Sequence, residues 1–229
     1  MANRSAVLAT LLALVVAVPI GAFDGAMGFA RRVEFPASSG PSIHWISIPW
    51  QYQPVDVGTP GILDAEDLCA DLGGASQVAA IIRWNEPTST FVEHLCGLPS
   101  PFSIAQGVGY GVRNASFAEI RGMIAGAHDD TFAFSIPATG GSQLSWLSVP
   151  YHLRIPDRGG DLVVTAADLC DQVGAAELLA IVTWNDVTSL FESFACGSSF
   201  SAPFTVERGT AYGFVNRGTQ TISWQPVHY

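Results

Sequence analysis

Apolar and polar positions in this chain follow two different periods, and each pattern occurs twice. Trp45-Ile46-Ser47-Ile48 and Trp146-Leu147-Ser148-Val149 alternate at strand spacing. Each run stops at a proline, Pro49 or Pro150, which cannot donate to a ladder. Residues 79–84 and 179–184 are short apolar runs suited to central strands. Strand patterns at 91–95 and 191–195 each lead into a cysteine. Those at 102–104 and 204–206 precede Gly109-Tyr110-Gly111 and Ala211-Tyr212-Gly213, and 117–124 and 220–224 supply a last strand. Only one segment in each half has helical spacing. Ala65, Leu68, Cys69 and Leu72 recur on one face, as do Ala166, Leu169, Cys170 and Val173.

The helix ends are written in the flanking residues. Asp64 and Thr165 stand at N-cap positions, with Asp67 and Asp168 three residues on, where a side chain reaches back to the cap. Gly73 and Gly174 stand where a helix stops. Capping accounts for Asp67 and Asp168 better than a catalytic carboxylate role does.

Superimposing the two sets of elements exposes an internal repeat. Trp146 lies 101 positions after Trp45, and Cys170 stands in the same relation to Cys69. One deletion then aligns Trp84-Asn85 with Trp184-Asn185 and Cys96-Gly97 with Cys196-Gly197. Two later insertions align Tyr110 with Tyr212. The expected organisation is a leader over 1–32, unit one over 33–130 and unit two over 131–229. Each unit is long enough to bury one core and is expected to fold by itself. The fold class expected is α+β, mainly β: two tandem homologous units, each a small sheet or sandwich with one short helix and one disulfide.

The four cysteines fall in pairs at matching places. The repeat favours Cys69–Cys96 and Cys170–Cys196 among the three pairings, because each unit then closes on itself. Closing loops of about 27 and 26 residues would restrict the unfolded chain by about 3.5 kcal/mol each in the loop-entropy view. A zinc site is disfavoured, since no Cys-x-x-Cys spacing occurs and no histidine recurs beside the cysteines.

The leader has its own chemistry. Arg4 precedes an uncharged, almost wholly apolar run at 6–20, and Pro19, Gly21 and Ala22 then break it with small residues. That order is expected of a secretory signal peptide, the competing expectation being a retained anchor. The expected location is therefore secreted, periplasmic or cell-surface, with no membrane span after cleavage. Export agrees with paired cysteines and with only 13% charged residues. The formal net charge of −10, with all ten basic residues arginine, excludes a phosphate-binding basic face and so a nucleic-acid partner.

Candidate chemistry is thin. His128 and His228 match near the ends of their units, and Asp129 and Asp130 adjoin His128. A solvated turn explains them without a metal, because no further ligands stand at a recognisable spacing. His44, His94 and His152 have no histidine counterpart in the other unit. Gly-x-Ser-x-Gly and His-Glu-x-x-His are absent, and Gly107-x-Gly109-x-Gly111 lacks the context of a phosphate loop. Trp50, Tyr52 and Tyr151 follow the strand-ending prolines, at the start of the most divergent loops. Such rings can stack on a sugar or anchor a protein, or else fold over the sheet end as core.

The run Ile46-Ser47-Ile48-Pro49 before an aromatic, the Ala65-Glu66-Asp67-Leu68-Cys69 helix and a later Gly-x-x-Tyr together resemble repeats of exported bacterial proteins. Those repeats carry an Ile-Ser-Leu-Pro-Tyr strand and an Ala-x-Asp-Leu-Cys helix, and often close on a Val-Gly-Ser-His-Asp-like segment. Ile124-Ala125-Gly126-Ala127-His128-Asp129 looks like that close, whereas unit two departs from it as Trp224-Gln225-Pro226-Val227-His228. The resemblance covers both units and implies an extracytoplasmic repeat module of no established activity. The expected function is a non-enzymatic structural or adhesive protein without a cofactor. The alternative is a carbohydrate-binding module using the loop aromatics. The expected partner is a surface glycan or another exported protein.

Overall fold

The structure is a computed structural model and describes residues 28–35, 42–48, 51–53, 64–115, 119–127, 131–138, 143–150 and 164–226. The first half runs β1 (Gly28–Phe35), β2 (Ile43–Ser47), β3 (Gln51–Gln53), α1 (Ala65–Asp71), β4 (Val78–Asn85), β5 (Thr90–Leu95), β6 (Gly109–Asn114) and β7 (Ile120–Ala127). The second runs β8 (Phe134–Ile136), β9 (Gln143–Ser148), β10 (Val164–Thr165), α2 (Ala166–Val173), β11 (Leu178–Asn185), β12 (Leu190–Ala195), β13 (Thr205–Val206), β14 (Ala211–Asn216) and β15 (Ile222–Trp224). The principal sheets have the orders β2-β6-β4-β5 and β9-β14-β11-β12, the same path through equivalent strands. β1 pairs with β7, and β8 with β15, all antiparallel. The fold is thus mainly β, with one short helix and one disulfide in each half.

Both helices carry a closed capping box. Asp64 accepts from the Glu66 and Asp67 backbones while the Asp67 carboxylate takes the Asp64 N–H; Thr165 and Asp168 do the same. The helices bury Leu68 and Cys69, or Leu169 and Cys170, against their sheets. Cys69–Cys96 and Cys170–Cys196 then tie each helix to the end of the hairpin strand, β5 or β12.

Each sheet is apolar on both faces, which explains the unbroken apolar runs at 79–84 and 179–184. Ile46, Ile48, Val78, Ile81 and Val112 face α1 and the β1–β7 ribbon. Leu147, Val149, Leu178, Ile181 and Phe214 form the equivalent core with α2 and the β8–β15 ribbon. The opposite faces meet each other: Trp45, Ile82, Trp146 and Ala211 make a third buried cluster joining the halves. Each unit was expected to bury a core of its own, and each does; the third cluster means that neither half is finished alone.

The join is reciprocal. Ser47 N–H donates to the Gly209 carbonyl, and Ser148 N–H to the Gly107 carbonyl, each at 2.8 Å. Ser47 Oγ donates to the Thr210 carbonyl and Ser148 Oγ to that of Val108. Each edge strand, β2 or β9, is therefore covered by the loop before the last sheet strand of the other half, a remedy for an open edge. Between them Trp45 and Trp146 stack with centroids 4.2 Å apart and planes 11° apart. The Gly-Tyr-Gly segment makes that approach possible. A Cβ on Gly109 would lie 2.3 Å from the Ala211 Cβ, so the position requires glycine.

Three local expectations shift. β1 begins at Gly28, so the boundary placed at Val33 falls inside a strand hydrogen-bonded to β7. The loop expected at 51–63 begins with β3, which pairs with the far side of β7. The strand expected at 102–104 is a single bridge, Asp64 to Ser103, because that segment serves to close the helix N-terminus, with Ala65 N–H on the Phe102 carbonyl.

Candidate functional site

Two clefts flank the join, one on each side of the stacked tryptophans. The larger, about 450 Å³, is bounded by β1 and β2 of the first half and by the end of β11 and the 204–212 segment of the second. The smaller, about 280 Å³, is bounded by the end of β4, residues 105–110 and Trp146. They are equivalent by position. Thr183, Trp184, Asn185, Asp186, Glu207 and Tyr212 line the first. Arg83, Trp84, Asn85, Glu86, Ala105 and Tyr110 line the second.

Tyr110 and Tyr212 stand at the back of these clefts. Strand alternation turns both rings away from the join and into their own cores, where they are almost wholly buried. Each hydroxyl accepts a 2.6 Å bond from the backbone N–H five residues earlier, of Ala105 or Glu207. Burial pushes both hydroxyls up to about 12, against the lowering effect of those bonds. The phenols stay neutral and fix the turn in front of them.

A hydrogen-bonded Ser, His and Asp series borders the larger cleft. Ser42, just before β2, and His44, within it, sit two apart on the core-facing side, so their side chains are neighbours. Ser42 Oγ is 3.0 Å from His44 Nε2, and His44 Nδ1 is 2.6 Å from an Asp186 carboxylate oxygen in the other half. The connectivity matches a nucleophile relay. Access does not: Ser42 is 7% exposed and does not line the cleft, whereas His44 and Asp186 do. The ring of His44 also stacks on Phe35, centroids 4.5 Å apart. The arrangement therefore acts as a polar latch between the halves, satisfying a buried imidazole from both sides.

Glu66, Cys69 and His94 also come together, within 4.8 Å of one another. Cys69 is spent in a disulfide, and Glu66 is spent on His94 Nε2 at 2.8 Å and on the Gly97 N–H. The equivalent positions in the second half are Ala167 and Phe194, apolar residues of the core there. The cluster is a structural brace.

Three indole nitrogens bordering these clefts, on Trp84, Trp146 and Trp184, are buried without a hydrogen-bond partner among the described residues. An orphaned buried donor is uncommon and marks a place where an acceptor or water fits.

Of the residues singled out by sequence, the four cysteines are joined as paired by the repeat. Trp50, Tyr151, His128 and His228 lie outside the described residues. Tyr52 lies in β3 opposite Gly126. The residues that sequence reasoning missed are His44, Asp186, Thr183 and Glu207. Their signal was available as departures from the repeat: His44 stands against Ser145, Thr183 against Arg83, Glu207 against Ala105. Comparison with family models, with curated proteins and with solved structures finds no match to this chain.

Proposed function

We propose that this chain is an exported, non-enzymatic structural or adhesive module built as two fused repeats. The two disulfides fit an oxidising, extracellular or periplasmic setting. Among the described residues no helix is long and apolar enough to cross a membrane.

The observation that carries the adhesive reading is where large apolar side chains meet solvent. Phe91 and Leu95 on β5, Leu190 and Phe191 on β12, and Val187 in the turn before β12 are all exposed, Val187 by 95%. The Phe91 and Phe191 rings lie 6.2 Å apart across the join, so the two hairpins share one partly exposed aromatic contact. An exposed aromatic pair shared by two hairpins suits a contact surface.

A photo-crosslinking residue placed at Val187 or Phe191, in cells that make the protein, tests this directly. Adducts with one cell-surface component should form at those positions and not at the exposed Ser76. Equal adduct patterns at all three positions would remove the adhesive role.

A further inference from the structure

The two clefts provide an internal comparison: beside one, an arginine of the protein itself covers an aromatic pair, and beside the other the equivalent position holds no arginine. Beside the smaller cleft, Phe102 stacks on Tyr110 with centroids 6.1 Å apart, and the guanidinium of Arg83, which lines that cleft, sits over the Phe102 ring at 4.6 Å. Arg83 also pairs across the sheet with Tyr110. In the larger cleft the aromatic pair is retained, Phe204 on Tyr212 at 5.9 Å with planes 10° apart. The cation is not retained. Thr183 takes the place of Arg83, and the shorter side chain leaves the cleft open.

The surroundings change in the complementary sense. Glu207 replaces Ala105 in front of the tyrosine, and Glu192, the cross-strand partner of Thr183, replaces Val92. Other charges lining the larger cleft are already engaged. Glu34 holds Arg32 at 2.8 Å, Asp186 holds His44, and Glu192 accepts from the Asn185 amide. The Glu207 carboxylate has no hydrogen-bond or ion-pair partner among the described residues, and Arg208 beside it does not line the cleft. An unpaired carboxylate next to stacked aromatic faces, within a cleft of ligand size, suits a planar cation.

We propose that the larger cleft binds a guanidinium group presented from outside, as the arginine side chain of a peptide or protein, in the place that Arg83 occupies in the smaller cleft. Phe204, backed by the buried Tyr212 ring, supplies the stacking face, and Glu207 supplies the carboxylate. This site adjoins the exposed Phe191, which touches Trp184, but uses other side chains and stands or falls independently of the adhesive role.

The test is calorimetric titration of the disulfide-bonded protein with N-acetyl-arginine amide, with the citrulline amide as neutral isostere. Saturable binding with a dissociation constant of about 1 mM or tighter is expected for arginine, with no saturation by citrulline. Glu207→Gln should weaken it about tenfold, and added salt should weaken it further. Thr183→Arg should abolish it by supplying the cation from within, in a protein that keeps its disulfides and circular dichroism. Failure of arginine to saturate, equal binding of citrulline, or unchanged affinity in Glu207→Gln would each overturn the assignment. Undiminished affinity in folded Thr183→Arg would do the same.

Discussion

Cutting Trp45 back to alanine removes one face of the ring stack that joins the halves. Trp45 is 6% exposed and Trp146 2% exposed, and the rings are nearly parallel at 4.2 Å. A buried aromatic side chain of this size hides about 200 Å². At about 25 cal/mol per Å² its removal costs about 4 kcal/mol after allowing for what alanine retains. Trp146→Ala should cost less, about 2–3 kcal/mol, because its indole nitrogen is already buried without a partner and truncation relieves that penalty. The direct ring–ring contact, about 0.5–1.5 kcal/mol, is lost in either single variant and so is counted once in the double variant. Urea unfolding of the wild type, both singles and the double, followed by far-ultraviolet circular dichroism, measures all three terms. The wild type should unfold in one transition. The double variant should show two, as each half, with its own core and disulfide, is released from the other. A cost below about 1 kcal/mol for Trp45→Ala, or no coupling between the pair, would mean that the halves touch without being energetically joined.

Other consequences are separately measurable. The tyrosine hydroxyls ionise near 10 in the unfolded chain and near 12 when folded, so the native state keeps its protons longer. That stability is whole below pH 10 and is lost as pH rises through 12, at about 1.4 kcal/mol per pH unit for each ring. Denaturant midpoints across this window should show the loss, and the Tyr110→Phe, Tyr212→Phe double variant should flatten it. Gly109→Ala should destabilise by about 1–3 kcal/mol, since its new methyl meets Ala211 across the join; a neutral result would mean the halves can slide apart. A chain of residues 131–229 alone uncovers Trp146, Leu144 and Val182, so analytical ultracentrifugation should find it self-associated; a stable monomer would contradict a shared cluster. A fluorophosphonate should leave Ser42 unlabelled, whereas Asp186→Ala should cost about 1–3 kcal/mol by removing one partner of the buried His44; labelling of Ser42 would mean that the series is a reactive nucleophile and not a latch.

Much of each half was legible in the sequence because its determinants are local. The helices followed from 3.6-residue spacing between a capping aspartate or threonine and a glycine, and both capping boxes are closed as that spacing requires. The disulfides followed from matching positions in two copies, since only within-unit pairing lets each copy close alike. The join did not follow. Trp45 and Trp146 read as ordinary strand residues, because an apolar face looks the same whether it covers its own helix or another sheet. Nor did the site. Asp186 is 142 residues from His44 and Thr210 is 163 from Ser47, and no local period encodes separations of that kind. Local spacing determined the strands, helices and staples of each copy. Packing one copy against the other decided which faces are buried, where the clefts open, and which departures from the repeat come to line them.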